Sequence, residues 1–289
     1  MRRDASTRPG YPADVVARVL DAILAARAAA KRRVACIGLS GLQGSGKSTL
    51  AARLAALARA HGIACEVLSL DDFYFGRRER ARLARERHPL FASRGVPGTH
   101  EVALLERTLA ALARPIGAAP LRVPRFDKGR DTRLPPSRWR RVRRTPELVL
   151  LEGWCVGVPA QAAGALRVPV NALERDEDRE GRWRRTANAE LAGAYARAWR
   201  RLDALVLLQA PSFEVVERWR AEQERALLDR AAARAMKPAA LRRFVAHFER
   251  ISRHAVRSLP RVADVRVVLD ASRHVVAIRV AGGRRKATA

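Results

Sequence analysis

A glycine-rich stretch near residue 45 has the residue types needed to hold a phosphate group. It fits the pattern G-x-x-x-x-G-K-[ST] and consists of Gly41, Leu42, Gln43, Gly44, Ser45, Gly46, Lys47, Ser48 and Thr49. The glycines let backbone N–H groups turn inward around a phosphate, and a following helix adds the positive end of its dipole. We therefore expect the stretch to bind a nucleotide, with Lys47 at the β- and γ-phosphates and Ser48 on Mg²⁺.

Two carboxylates follow or end apolar runs that predict buried strands. Asp71 follows residues 64–70, and Glu152 lies near the end of residues 147–153. Phosphoryl transfer needs phosphate positioning, a metal and a group that orients the attacking oxygen. We expect Glu152 to hold Mg²⁺, directly or through water, and Asp71 to accept the proton of the acceptor hydroxyl. We interpret Asp72 as a structural partner of Asp71; the alternative for this pair is a helix cap.

Unbroken Val, Leu and Ile runs alternate with helical patterns, which is typical of an α/β fold with a mainly parallel sheet. The predicted strands cover residues 34–39, 64–70, 147–153, 202–208, 265–269 and 274–280. The last two could form a hairpin that adds an antiparallel edge. Helices are predicted at 13–30, 50–60, 101–113, 186–200, 211 to about 235, and after Pro238. Because ligands bind at the carboxyl ends of strands in such sheets, we expect the glycine-rich loop, Asp71 and Glu152 on one rim.

The elements predict a single P-loop NTPase-like domain over residues 1–289, with three layers and a core at about 34–280. Residues 76–146 form a long irregular insertion, which we interpret as substrate-binding because such insertions are usually functional or disordered. Residues 168–183 are predicted to be a polar loop. Residues 1–12 are predicted to be loose, and the tail at 282–289 is predicted to be disordered.

The chain has a formal net charge of +28, from 57 Lys and Arg residues against 29 Asp and Glu residues. Five of the basic residues are lysines, and the arginines are scattered among alanines. We interpret this as composition bias and expect no nucleic-acid partner, since no single basic face or stacking motif stands out. No apolar run approaches the ~20 residues that span a bilayer. Three cysteines without C-x-x-C spacing favour a reducing, cytoplasmic location.

Several longer motifs lie between about Val34 and Pro260. They read GLQGSGKST, LSLDDFY, HPLFASRGVPGTHE, PRFDKGRDTR, LLEGWCVG and VNALERDEDREGRW, followed by Phe213–Glu224. Together they resemble the plant-type D-glycerate 3-kinases and their bacterial and fungal relatives. These belong to the P-loop kinases, with uridine kinase, pantothenate kinase and phosphoribulokinase. The resemblance implies an ATP-dependent, Mg²⁺-dependent kinase that converts D-glycerate to 3-phosphoglycerate.

The resemblance also implies roles for particular residues. Asp71 matches the proposed base, and Glu152 matches the acidic residue of the metal site. A mobile helical lid is implied after the fourth strand, at about residues 211–260. Arg220 matches the family's W-R pattern in this lid and is expected to contact ATP.

The acceptor implied by the resemblance is a small hydroxy acid, whose carboxylate is best held by arginine or by N–H groups at a helix start. The insertion offers four candidate contacts, Arg94, His100, Lys128 and Arg133. The sequence at 126–129 is Phe-Asp-Lys-Gly where Tyr-Asp-Lys-Ser is expected in the family.

Two alternative functions stay open. One is a kinase of another small alcohol, such as a nucleoside or pantothenate, and the other is a nucleotide-binding regulatory or nucleic-acid-associated protein. The sequence leaves the oligomeric state undetermined.

Overall fold

The computed structural model describes residues 10–30, 32–228 and 237–281. The tail predicted to be disordered, 282–289, lies outside these residues. So do residues 1–9 of the predicted loose segment and the end of the helix predicted to reach about residue 235. Tyr11 is buried in the core, so the chain is packed against the fold by residue 11 and the prediction of a loose segment up to residue 12 is wrong there.

Strands and helices alternate along the described residues, as the apolar patterns predict. The strands are β1 Ala35–Gly41, β2 Cys65–Ser69, β3 Leu121–Val123, β4 Phe126–Asp127, β5 Thr132–Arg133, β6 Arg140–Val142, β7 Leu148–Gly153, β8 Ala204–Gln209, β9 Val265–Leu269 and β10 Val275–Val280. The helices are α1 Ala13–Ala30, α2 Lys47–Ala60, α3 Arg77–Glu86, α4 Val102–Leu112, α5 Ala172–Glu177, α6 Arg182–Glu190, α7 Ala196–Trp199, α8 Val215–Leu228 and α9 Pro238–Ser258. A π-helical turn, Leu191–Tyr195, joins α6 to α7.

The central sheet has six strands in the order β10-β9-β8-β1-β7-β2. Neighbouring strands from β2 to β9 are parallel, and β10 adds an antiparallel edge beside β9. The sheet is therefore mainly parallel, which confirms the predicted α/β class and the terminal hairpin. Because parallel strands point the same way, β1, β2 and β7 bring their carboxyl ends to one rim.

Alternate residues of each buried strand face opposite layers. On β7, Leu148 and Leu150 belong to the core shared with α1, α2 and α8. Val149 and Leu151 belong to the core shared with α4, α7 and part of α9. The two-residue period of a strand thus supplies both faces of a three-layer α/β fold.

The insertion is more regular than its sequence suggests. It contains α3, α4 and two small antiparallel sheets, in which β3 pairs with β6 and β4 pairs with β5. The polar loop predicted at 168–183 is wrong in part, because α5 lies inside it and α6 begins at Arg182. Asn171 caps α5 by accepting a hydrogen bond from the Glu174 N–H at 3.0 Å, so a cap defines this six-residue helix where no apolar stripe does.

The two helices of the predicted lid, α8 and α9, pack against each other after β8. On α9 the residues predicted as its apolar face are buried or half-buried against the core. Among the described helices, none combines the length and the apolar character required to cross a membrane.

Candidate active site

The phosphate-binding loop connects β1 to α2 at the carboxyl rim of the sheet. Gly44 and Gly46 have φ angles of 80° and 90°, a left-handed conformation that favours glycine. A Cβ atom placed on Gly44 would lie 2.6 Å from the Cβ atom of Trp219 on α8, so close packing also requires glycine there. The Tyr11 hydroxyl donates to the Ser45 carbonyl at 3.1 Å, which ties the segment before α1 to the loop.

Lys47 and Ser48 open helix α2 beside the end of β7. Lys47 Nζ donates to the Leu42 carbonyl at 3.3 Å. Burial lowers the pKa of Lys47, and the charges of Glu152 and Asp71 oppose this effect. Ser48 Oγ donates to Glu152 Oε1 at 3.0 Å. A hydroxyl and a carboxylate are the hard oxygen ligands that Mg²⁺ prefers, so the chemistry of this pair fits a magnesium ion.

Asp71 lies in the 3₁₀ turn Leu70–Phe73 that follows β2. Its Oδ2 accepts a hydrogen bond from Lys128 Nζ at 2.6 Å. Burial acts to raise the pKa of Asp71, but the charge and hydrogen bond of Lys128 outweigh it and lower the pKa to about 2. The neighbouring Asp72 accepts a hydrogen bond from the Phe126 N–H at 2.9 Å. Asp71 is therefore ionised near the loop, while Asp72 anchors β4.

Arg94 reaches the same region from the loop before α4. Its Nη1 donates to Asp131 Oδ1, and its guanidinium carbon lies 5.6 Å from the centre of the Phe126 ring. Arg80 on α3 donates to the other oxygen of Asp131 at 2.6 Å. Burial acts to raise the pKa of Asp131, and the hydrogen bonds and charges of Arg80 and Arg94 lower it overall.

His100 and Arg133, which were predicted as acceptor contacts, lie apart from the cleft lining. The buried His100 ring stacks on Tyr74 with ring centres 4.0 Å apart, and its Nδ1 lies 2.6 Å from Tyr195 Oη. Burial lowers the pKa of His100 to about 3, so the ring is neutral at neutral pH. Arg133 donates to Glu101 Oε2 at 2.6 Å and to the Tyr74 carbonyl at 3.1 Å. Both side chains thus support Tyr74.

One cleft brings together nine of the residues predicted from the sequence. They are Gln43, Gly44, Lys47, Ser48, Asp71, Arg94, Lys128, Glu152 and Arg220. The cleft is also lined by residues that were not predicted for the site: Tyr74, Gly153, Trp154, Gln223, Phe244 and Phe248. In the sequence, Phe244 and Phe248 are marked only by their helical spacing. This spacing indicates an apolar helix face but cannot distinguish a core face from the wall of a cleft.

Helix α8 contacts the β9–β10 turn through Trp219 and helix α9 through Arg220. The Trp219 indole N–H donates to the Ala271 carbonyl, in the turn between β9 and β10, at 2.9 Å. The next residue, Arg220, lines the cleft and places its guanidinium carbon 5.6 Å from the centre of the Phe244 ring. The β9–β10 hairpin therefore fixes the helix that carries Arg220.

Two named proteins match the sequence, although no protein-family model does. The uncharacterized kinase mug58 of Schizosaccharomyces pombe is 35 % identical over 200 residues, which cover 66 % of this chain and 70 % of that protein. The chloroplastic D-glycerate 3-kinase of Arabidopsis thaliana is 32 % identical over 200 residues. That match covers 66 % of this chain and 41 % of the plant protein, so the chain matches about two fifths of the plant enzyme's length.

Solved structures share the fold over nearly the whole chain. The D-glycerate 3-kinase from Cryptococcus neoformans superposes with a TM-score of 0.77 at 20 % identity, covering 93 % of this chain and 100 % of that chain. A protein named YGR205w superposes with a TM-score of 0.71 at 23 % identity, covering 92 % of this chain and 96 % of that chain. Fold, phosphate loop and sequence identity agree: the chain belongs to the P-loop kinase family that contains mug58 and the plant D-glycerate 3-kinase.

Proposed function

We propose that this protein transfers the γ-phosphoryl group of ATP to a hydroxyl of D-glycerate and forms 3-phosphoglycerate. The observation that carries the proposal is that an ionised Asp71 and two cations, Arg94 and Lys128, share one cleft with the phosphate-binding loop. An acceptor carboxylate beside a triphosphate needs cations separate from those on the phosphates. The relatives named D-glycerate 3-kinase support this acceptor.

On the donor side, backbone N–H groups of residues 41–49 hold the phosphates at the start of α2. Lys47 neutralises negative charge on the transferring phosphoryl group. Electrostatic stabilisation of the charge in the transition state is usually the largest single contribution to catalysis. Ser48 and Glu152 would hold Mg²⁺, which neutralises charge on the β- and γ-phosphate oxygens. Arg220 approaches from α8 and would contact the nucleotide phosphates.

On the acceptor side, Asp71 orients the hydroxyl and accepts its proton as the oxygen–phosphorus bond forms. A carboxylate with a pKa of about 2 is a weak base, so most of its effect comes from orientation. This suits a loose transition state, in which the protein does little covalent chemistry. Arg94 and Lys128 bind the carboxylate of the acceptor.

We further propose that α8 and α9 act as the lid over this cleft and that the reaction takes place in the cytoplasm. The first assignment is supported by Arg220, Phe244 and Phe248, which line the cleft from these helices. The second is supported by Cys36, Cys65 and Cys155, which are free thiols, as a reducing compartment favours.

A panel of acceptors tests the function. Purified protein is incubated with ATP, Mg²⁺ and D-glycerate, glycerol, uridine or pantothenate, and phosphorylated products are identified by mass spectrometry and ³¹P NMR. Glycerol is the matched control because it has the hydroxyls of glycerate without its carboxylate. We expect D-glycerate to be strongly preferred and phosphorylated at its 3-hydroxyl. Comparable use of glycerol, or preferred use of uridine or pantothenate, would overturn the proposal.

A further inference from the structure

Asp131 joins two arginines that come from different parts of the insertion. Its Oδ2 accepts from Arg80 Nη2 at 2.6 Å, and its Oδ1 accepts from Arg94 Nη1. Arg80 also donates to the carbonyls of Asp131 and Ala92, at 3.3 Å and 3.2 Å. The Arg80 side chain is 3 % exposed and that of Asp131 is 25 % exposed, so this network is far less solvated than a surface ion pair.

The backbone of Asp131 is also specialised. Its φ angle is 52°, a left-handed conformation that aspartate and asparagine adopt more readily than most residues. The conformation costs about 1–2 kcal/mol for an L-residue, and the charge-assisted bonds to Arg80 and Arg94 offset that cost. The β4–β5 turn is thus held where its carboxylate meets both arginines.

Arg94 is constrained on one side and accessible on the other. Asp131 binds its Nη1, and the Phe126 ring lies 5.6 Å from its guanidinium carbon. The same side chain lines the cleft with Lys128 and Asp71. Within the part of the chain that the structure describes, its remaining N–H groups donate to no protein acceptor. A planar guanidinium held in this way can bind a carboxylate with two parallel hydrogen bonds.

We propose that Asp131 is a positioning residue that orients Arg94 for the acceptor carboxylate and so strengthens binding of an acidic acceptor. The inference rests on the proposed function, because it requires an acid as acceptor. The charges of the cluster support it. Arg77, Arg80, Arg94 and Lys128 face Asp71 and Asp131, so cations outnumber carboxylates there. An acceptor carboxylate reduces this excess of positive charge, whereas a neutral alcohol leaves it.

Asp131→Asn tests the positioning role. Asparagine tolerates the positive φ and can still accept a hydrogen bond, but it removes the charge that holds Arg94. We expect KM for D-glycerate to rise about tenfold with kcat within about threefold, because a ground-state contact shared with the transition state is weakened. KM for ATP should stay unchanged. Because Asp131 acts through Arg94, the double variant Asp131→Asn with Arg94→Lys is informative. Its KM for D-glycerate, relative to the wild type, should be smaller than the product of the two single-variant ratios.

Asp176→Asn is the matched control, because Asp176 is an exposed partner of Arg175 on α5, away from the cleft lining. It removes the same charge and should leave all constants unchanged. An unchanged KM for glycerate in Asp131→Asn, an equal rise in KM for ATP, or multiplicative effects with Arg94→Lys would overturn the inference.

If the panel identifies a different monoanionic acid, the proposed function fails, and a tenfold rise in KM for that acid would still support the positioning role. A preferred neutral acceptor defeats both.

A second measurement needs no variant and remains valid if Asp131→Asn fails to fold. At saturating ATP, the KM of the wild-type protein for glycerol is compared with its KM for D-glycerate. We expect the KM for glycerol to be at least tenfold higher, because glycerol lacks the carboxylate that Arg94 binds. Equal KM values for the two acceptors would overturn the inference.

Discussion

Asp71 and Glu152 follow or end neighbouring strands, yet their contacts separate them chemically. Asp71 is bound to Lys128 at 2.6 Å, and Glu152 accepts from Ser48 at 3.0 Å. The first carboxylate thus lies beside a cation on the proposed acceptor side. The second lies at the start of the helix that follows the phosphate loop. This difference supports one role in orienting the acceptor and another in binding the metal.

Substitution of each carboxylate by its amide distinguishes these roles. Asp71→Asn should lower turnover by roughly 10²–10⁴-fold, because it removes the carboxylate that orients the acceptor hydroxyl and accepts its proton, with ATP affinity nearly unchanged. Glu152→Gln should instead raise the Mg²⁺ concentration needed for half-maximal activity. Turnover measured across a Mg²⁺ titration checks both. Identical responses of the two variants would contradict the division of roles.

His100 shows how burial changes the chemistry of a residue chosen from sequence. It is stacked on Tyr74 and bound to Tyr195, and burial lowers its pKa to about 3. A cationic contact to a carboxylate is therefore excluded at neutral pH. Instead the ring links stability to pH. Between pH 6.5 and about 3 the unfolded chain binds a proton at this residue that the folded protein does not, so stability falls as pH falls.

We predict that His100→Asn weakens the pH dependence of stability. One fully uncoupled proton corresponds to about 1.4 kcal/mol per pH unit. Over pH 6 to 4, the variant should therefore lose stability less steeply than the wild type, although it is less stable at pH 7. Urea unfolding at several pH values gives the two slopes. The comparison of slopes is needed because burial also lowers the pKa values of His247 and His254. Parallel slopes would show that His100 is protonated in the folded state.

The site residues that could be predicted from the sequence are those whose positions follow from the local backbone structure. Lys47 and Ser48 follow from the loop pattern, and Glu152 from the end of a buried strand. Asp131 and Tyr195 could not be found in this way, because each acts through partners far away in the chain. Arg94 lies 37 residues before Asp131, and His100 lies 95 residues before Tyr195. An arginine-rich chain also offers many candidates, and only packing separates Arg94 in the cleft from Arg133 beside Glu101.

At the scale of elements, helix α8 and the phosphate loop constrain each other. Trp219 is fully buried against Gly44 and is tied to the β9–β10 turn through Ala271. A shift in either the helix or the loop must therefore displace the other. This coupling explains why the loop needs glycine at position 44 beyond the requirement of its φ angle.

Gly44→Ala tests this contact, and Gly62→Ala is its control. Both glycines have φ near 80°, but a Cβ atom on Gly62 would have no neighbour within 4 Å. Gly62→Ala should cost about 1–2 kcal/mol from backbone strain and leave ATP affinity unchanged. Gly44→Ala adds overpacking, so we expect a further loss of about 1–3 kcal/mol and much weaker ATP binding. Thermal unfolding and calorimetric ATP titration measure the two effects. Equal behaviour of the two variants would mean that the Trp219 contact is unimportant.

The elements that sequence predicted well are long and strongly apolar. The six sheet strands follow from short apolar runs, and α1 and α9 follow from an apolar stripe with a period of 3.6 residues. The pairs β3–β6 and β4–β5 have two or three residues per strand, too few to show a period. They form because the insertion brings distant segments together, as with the Asp72 side chain and the Phe126 N–H.

For the whole molecule, the abundance of arginine has a structural use that composition does not reveal. Arg80, Arg184 and Arg250 are buried, and each binds a carboxylate together with backbone carbonyls. The planar guanidinium suits this task because it donates in several directions at once. Part of the arginine content is therefore paired inside the fold, while the net charge of +28 is unchanged by these pairs.

The pair of Glu174 and Arg250 shows what such a contact does for the architecture. Arg250 on α9 binds both oxygens of Glu174 on α5, at 2.7 Å and 2.6 Å. It also donates to the carbonyls of Ala165 and Val168. The segment around α5 is thereby fastened to the helix that carries Phe244 and Phe248 into the cleft. The docking of α9, and hence the cleft wall, depends on this buried pair.

Arg250→Met should destabilise the protein by about 3–5 kcal/mol, because it leaves the Glu174 carboxylate buried without its cation. Arg243→Met is the matched control, since Arg243 also joins α9 to α5, through Glu177, but its side chain is 53 % exposed. That variant should cost at most about 1 kcal/mol. Replacing both members, Arg250→Met with Glu174→Leu, should recover part of the loss because no unpaired charge remains. Chemical unfolding of the four proteins gives the values. Equal costs for the two single arginine variants, or no recovery in the double variant, would show that the buried pair does not hold α9 in place.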